Sequence, residues 1–150
     1  MRVWIDADAC PAVIREVLFR AATRRAIETI LVANHFIRVP RSPHIRAVQV
    51  AAGFDKADDH IAEQVAPGDM VITGDIPLAA RVVEAGATAL NPRGTLYDTE
   101  SIREHLGRRD FMEELRSTGM QTGGPSALGK SDVQAFANAL DRFLARAGAR

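Results

Sequence analysis

Hydrophobic and polar positions change rhythm several times along the chain, and each change marks an element. Val3-Trp4-Ile5 is a short β-type run stopped by Asp6-Ala7-Asp8-Ala9-Cys10-Pro11, and Val13, Ile14, Val17, Leu18 and Ala21 then recur at helical spacing. A second strand reads from Ile27 to Ala33 and ends at Asn34-His35. Phe36 to His44 is non-periodic with two prolines, and Ile45 to Ala51 gives a third, weaker strand signal. Gly53-Phe54-Asp55 turns into a helix over Lys56–Val65, and Pro67-Gly68-Asp69 is a turn. The next strand, Met70 to Thr73, stops at Thr73-Gly74-Asp75. Pro77 suits the first turn of the helix that Leu78-Ala79-Ala80-Arg81-Val82-Val83 continues. Gly86 breaks that helix, and Ala87 to Leu90 makes a last short strand.

Strands alternating with helices across short turns predict an α/β fold, a mostly parallel sheet covered on both faces. The near-continuous apolar run Ile30-Leu31-Val32-Ala33 fits a strand buried on both sides. Thr99–Leu106 and Asp110–Arg116 read as two short helices, and residues 117–130 as a polar, glycine-rich loop of functional length. Ser131 or Asp132 is the expected cap of a final helix whose apolar face includes Val133, Phe136, Leu140, Phe143 and Leu144. With no internal repeat and no second core in the pattern, residues 1–150 read as a single domain with a helical extension from about residue 99.

Composition narrows the class without naming a partner. The 47% apolar and 25% charged residues are globular values, which excludes wholesale disorder. Nineteen basic residues offset nineteen acidic ones, so only the local placement of charge can indicate a partner. The single cysteine excludes an internal disulfide and fits a reducing compartment. No apolar stretch of membrane-spanning length and no signal-peptide pattern are present, so a cytoplasmic location is expected.

Three acidic groups follow or flank expected strand ends: Asp6 with Asp8, Asp55 with Asp58 and Asp59, and Asp75. The carboxyl edge of an open α/β sheet is where ligands bind. Carboxylates gathered there repel one another unless a cation neutralises them, and hard Mg²⁺ or Mn²⁺ ions take oxygen ligands. Asp6 and Asp75 are the expected direct ligands, since each ends a strand, with Asp8 completing the catalytic site or binding through water. In the middle group Asp58 would sit on the first turn of its helix, while spacing leaves Asp55 and Asp59 as rivals. For a lone Asp at a helix start, a cap is the commoner role.

Phosphate-holding candidates are Arg38 and Arg41 (with Arg46 nearby), Arg93, Lys130 and Asn34 at the end of the second strand. Arg108 and Arg109 form a further basic pair. With one Trp, one Tyr and six Phe, a base-stacking platform is not expected. His35, His44 and His105 lack zinc-ligand spacing, His60 reads as a solvated helix residue, and Cys10 as a packed thiol. Asp69 and Asp98 read as turn residues, and the glycine-rich segment lacks phosphate-loop spacing.

Several segments together resemble the bacterial YaiI/YqxD family: Asp6-Ala7-Asp8-Ala9-Cys10-Pro11, Val32-Ala33-Asn34, Gly53-Phe54-Asp55-Lys56-Ala57-Asp58, Val71 to Ala79 and Leu90-Asn91-Pro92-Arg93-Gly94. Arg109-Asp110-Phe111-Met112 and Thr122-Gly123-Gly124-Pro125 extend the resemblance over nearly the whole chain. That family is regarded as PIN-like, and PIN domains are metal-dependent nucleases, chiefly of RNA. The resemblance thus implies a PIN-like three-layer sandwich. It places the first-strand acid on Asp6, the Thr-x-Asp acid on Asp75 and the helix acid on Asp58. The Asp6/Asp8 pair and the cysteine after it depart from the ordinary PIN pattern.

The resulting expectation is a Mg²⁺- or Mn²⁺-dependent phosphodiesterase acting on RNA. The main alternative is a PIN-like module that binds RNA or regulates without cleaving it. A phosphatase with Asp6 as nucleophile and Asp8 as acid is a third reading. Against it, the acid that class places four residues after the Gly-Asp pair is here Ala79. Oligomeric state is left open.

Overall fold

The computed structural model describes residues 1–53, 55–107 and 128–147. A mixed sheet of six strands runs in the order β3-β2-β1-β4-β5-β6. The strands are β1 (Arg2–Asp6), β2 (Glu28–Ala33), β3 (Ile45–Gln49), β4 (Met70–Ile72), β5 (Thr88–Leu90) and β6 (Leu96–Tyr97). All neighbours pair in parallel except β5 and β6. The helices are α1 (Ala12–Arg25), α2 (Lys56–Gln64), α3 (Ile76–Glu84), α4 over residues 99–107, and α5 (Lys130–Arg146), with a single 3₁₀ turn at Ala7–Ala9.

Strand alternation sorts the core into two layers. Val3 and Ile5 of β1, Leu31 and Ala33 of β2, Met70 and Ile72 of β4 and Leu90 of β5 pack under α1 and α5. Trp4, Ile30, Val32, Val71 and Ala89, on the opposite parity, pack under α2, α3 and α4 with Ile61, Leu78, Val82 and Ile102. The result is the expected α/β three-layer arrangement. Among the described residues no helix is long and apolar enough to cross a membrane.

Three details differ from the sequence pattern. Leu96–Tyr97 adds an antiparallel strand after Ala87–Leu90, because Asn91-Pro92-Arg93-Gly94 folds as a tight turn. The Asn91 carboxamide accepts from the Arg93 N–H at 2.6 Å, and the Gly94 N–H bonds the Asn91 carbonyl at 2.9 Å. A two-residue strand carries too little periodicity to be read in advance. Second, α5 starts at Lys130 and its cap is Gly129, not Ser131 or Asp132. Asp132 is instead the third helical residue, and its carboxylate accepts the Gly129 N–H at 2.9 Å, so the acidic residue completes the cap from inside the helix. The expected helix over Asp110–Arg116 and most of the glycine-rich loop lie outside the described residues.

Third, Asp69 is more than a turn residue. It is 3% exposed and accepts hydrogen bonds from the Arg2 N–H (2.9 Å), the Ala66 N–H (3.0 Å) and the Trp4 indole (3.2 Å). The Arg2 guanidinium stands 3.4 Å away, so the buried charge is satisfied on every side. This knot fastens the amino ends of β1 and β4 and leaves their carboxyl ends to carry chemistry.

Candidate functional site

Strand order places β1 between β2 and β4, and the chain leaves β1 toward β2 under α1 before α2 returns it across the other face to β4. That reversal makes the carboxyl ends of β1 and β4 the topological switch point, where open α/β sheets bind ligands. Asp6 ends β1 and shares the parity of Trp4, so it faces the α2–α3 layer. Ile5 pairs with Ile72, so Asp6 and Thr73 stand next in register. The Thr73 hydroxyl donates to Asp6 Oδ2 at 3.0 Å, and the Thr73 Oγ1 itself accepts the Asp75 N–H at 3.0 Å. Asp75 precedes Ile76-Pro77 and caps α3, its Oδ1 accepting the Leu78 N–H at 3.0 Å. Cap and candidate ligand are therefore the same residue, with one carboxylate oxygen committed to the helix.

Asp58 reaches the edge from the first turn of α2 and is hydrogen-bonded to Asp75. Partial burial first, then the charges of Asp6, Asp75 and Asp55, push its carboxyl from the ordinary 3.8 up to about 7. Burial among like charges disfavours the ionised form of Asp58, so this carboxyl keeps its proton below about pH 7. Asp6 is 5% exposed and is also raised, chiefly by desolvation, with Asp75 and Asp8 adding to the effect and the Thr73 hydroxyl opposing it. Among the rivals for the middle acid, Asp59 points away and pairs with Arg81 at 2.9 Å. Asp55 sits before the helix in a left-handed conformation (φ 60°) and acts on Asp58 only through its charge.

Asp8, in the 3₁₀ turn, faces the end of β2. Its Oδ2 accepts the Asn34 N–H at 3.3 Å and its Oδ1 lies 2.9 Å from His35 Nδ1. Sequence spacing gave no sign of this His35 contact, since the partners follow different strands, Asp8 after β1 and His35 after β2. His60 is not simply solvated either: its ring meets Trp4 edge-on at 6.2 Å.

The donor set is all oxygen, which suits Mg²⁺ or Mn²⁺ rather than zinc. Among the described residues, however, no three His, Cys, Asp or Glu side chains are arranged to close on one ion. Asp6, Asp58 and Asp75 stand side by side with their oxygens turned to Thr73, to one another and to the α3 backbone. A cation would have to displace the Asp58 proton before that carboxylate could serve as a ligand.

Residues 4–146 match the family described as "Uncharacterized BCR, YaiI/YqxD family". The chain belongs to the YaiI/YqxD family. Among its relatives, the UPF0178 protein of Halorhodospira halophila is 66% identical over 146 residues, covering 97% of both chains. The UPF0178 protein of Dechloromonas aromatica is 62% identical over 146 residues, again 97% of both. That of Syntrophotalea carbinolica is 60% identical over 146 residues, covering 97% of this chain and 99% of its own. No solved structure matches the chain. In this family member the chemistry of the edge rests on its own residues.

The basic candidates divide by location. Asn34 and Arg38 lie on the exposed segment after β2, where the Asn34 N–H meets Asp8, and Arg41 is exposed further along it. Arg46 is exposed on β3, the sheet's edge strand. Arg93 is turned to α5, bonding Asp132 at 2.8 Å, and Lys130 is exposed at the start of that helix. Arg93 therefore ties the β5–β6 turn to α5 as well as lying near the carboxyl edge. Cys10 is buried, and its desolvated thiol is pushed up to about 12, so it behaves as a packed side chain.

Proposed function

We propose that this protein is a divalent-cation-dependent phosphodiesterase of PIN-like type acting on RNA, with Asp6, Asp58 and Asp75 as its cation ligands. The observation that carries the reading is the convergence of these three carboxyls, from three separate elements, at the switch point where strand order reverses. A fold gains no stability from gathering like charges there, so such a cluster is a functional candidate on physical grounds. A bound Mg²⁺ or Mn²⁺ would neutralise the cluster, polarise the phosphodiester and acidify an attacking water.

The protein's own groups would do the rest. Thr73 fixes Asp6 and aligns the Asp75 backbone through one hydroxyl. Asp8, outside the trio and half-open to solvent, holds His35 and the Asn34 backbone at the rim where the substrate would approach.

A second reading, an RNA-binding module without cleavage, is favoured by one observation: no three described ligand groups already face one ion position. The aspartyl-phosphatase reading has less support, since Asp6 is buried with Oδ2 engaged by Thr73 and Ala79 is fully buried.

Mn²⁺ binding, followed by water-proton relaxation, separates the first two readings. Asp75→Asn keeps the α3 cap, because Asn caps as well as Asp, while removing the charge. Wild type should bind and the variant bind far more weakly, with loss of Mn²⁺-dependent RNA cleavage. Equal binding by both, or RNA cleavage that survives the substitution, would refute the ligand assignment.

A further inference from the structure

Phe36 is 78% exposed, the most open large apolar side chain among the described residues. Isolated exposed apolar groups are common and need no explanation. Phe36 differs in its surroundings. It lines a groove of about 320 Å³ between the first turns of α1 and the segment joining β2 to β3, together with Arg15, Glu16, Phe19, His35 and Arg38. That volume is at the lower end for small-ligand sites, about 300–1,000 Å³. A second cavity of about 210 Å³ flanks the other side of Phe36, floored by Leu31, Ala33 and Ala47, so the ring stands on a ridge between two hollows. Neither Arg15 nor Arg38 is paired with a carboxylate within 4.0 Å among the described residues. One end of the groove reaches Asp8 at the carboxyl edge of the sheet, because His35 lines it and its Nδ1 lies 2.9 Å from Asp8.

A free aromatic face beside unpaired guanidinium groups is the arrangement that holds single-stranded nucleic acid: the ring stacks on a base and the cations take the adjoining phosphates. A paired base offers no face to such a ring.

We propose that this groove binds an unpaired stretch of polynucleotide, one base stacked on Phe36 and its flanking phosphates on Arg15 and Arg38, and delivers the strand past His35 to the acidic edge. The assignment deepens the phosphodiesterase reading and rests on it for the chemistry, but binding in the groove can be tested alone. It is a single stacking position, not an extended platform, which agrees with the low aromatic content of the chain.

The test is fluorescence anisotropy of labelled dodecamers, oligouridylate and its deoxy counterpart, with the full chain in EDTA. A duplex of the same length is the control. Wild type should bind either single strand more tightly than the duplex, and Phe36→Ala should weaken binding about tenfold, as loss of one stack does. Arg38→Gln should lower the slope of log affinity against log salt by about 0.7, the value for one phosphate of a single strand. A ribo preference would mark RNA as the ligand and equal binding would include DNA; both uphold the groove. Absence of single-strand binding, or Phe36→Ala and Arg38→Gln both indistinguishable from wild type, would overturn it. The two proposals also fail separately. Phe36-dependent binding by a protein that never cleaves in Mn²⁺ sinks the phosphodiesterase alone. Mn²⁺-dependent cleavage with KM unchanged in Phe36→Ala sinks the groove alone.

Discussion

Replacing Asp58 by Asn should make the protein more stable at alkaline pH and flatten much of its pH dependence. Burial, the charges of Asp6, Asp75 and Asp55, and the hydrogen bond to Asp75 together hold the folded Asp58 carboxyl at about 7, against an ordinary 3.8. Between those values the folded state keeps a proton that the unfolded chain has released, so the unfolding free energy falls as pH rises. The stability linked to Asp58 is thus fully present below about pH 4 and is lost as pH climbs through about 7. A gap of this size is worth roughly 4 kcal/mol at 1.36 kcal/mol per decade. Asp58 is only half-buried, so solvent and salt screening reduce it to about 1–2 kcal/mol. Asn fills the same volume, can still bond Asp75, and never ionises. Urea unfolding in EDTA should therefore find Asp58→Asn about 1–2 kcal/mol more stable than wild type at pH 8 and equal to it near pH 4, with an unchanged m-value. In Tm the gain is about 2–8 °C. Some slope should survive in the variant, because Asp6 is raised as well. A variant less stable than wild type at pH 8, or a difference that does not change with pH, would refute the account of the cluster. Saturating Mn²⁺ should reverse the order at pH 8 if the site binds it, since an ion that binds only the folded wild type stabilises it by mass action.

Thr73→Val, nearly isosteric, strips the buried Asp6 carboxylate of its hydroxyl donor and should cost about 1.5–3 kcal/mol at pH 8 in urea unfolding; a loss below 0.5 kcal/mol would show that Asp6 is satisfied otherwise. Asp59→Asn, which touches only the exposed pair with Arg81, should change stability by less than about 1 kcal/mol and leave Mn²⁺ relaxation at the wild-type level. A loss of Mn²⁺ binding there would move the middle ligand from Asp58. Gly94→Ala should be the most damaging small substitution away from the acidic edge. Gly94 has φ +97° and an added Cβ would meet the Ala135 carbonyl carbon at 2.8 Å, so overpacking and backbone strain together should cost about 2–5 kcal/mol and lower Tm by about 5–15 °C. A Tm within 2 °C of wild type would mean that the β5–β6 turn is free to part from α5.

The acidic residues were visible in the sequence because each sits where an apolar run breaks: Asp6 after Val3-Trp4-Ile5, Asp75 after Val71-Ile72-Thr73. The strands themselves, their parallel pairing and the helices between them followed from the same period, since a strand buried on both faces cannot hide its apolar run. What no local pattern carried was distance. Asp6 and Thr73 meet at 3.0 Å across 67 positions because Ile5 and Ile72 are in register. Choosing Asp58 over Asp59 likewise needed the helix rotation, which turns one toward Asp75 and the other toward Arg81. Asp69 illustrates the converse: after Pro67-Gly68 it reads as turn chemistry, yet its carboxylate is the buried knot that secures Arg2 and Trp4.

By itself, then, the sequence determined the α/β class, the succession of strands and helices apart from β6, and the residues able to carry charge at the strand ends, because hydrophobic period and breaker residues act over one or two turns of chain. Only the tertiary structure decided that Asp58 meets Asp75, that Gly94 lies against α5, and that Phe36 lines one groove with Arg15 and Arg38. Those properties are set by strand order and by burial, which couple residues far apart in the chain and leave no mark on their immediate neighbours.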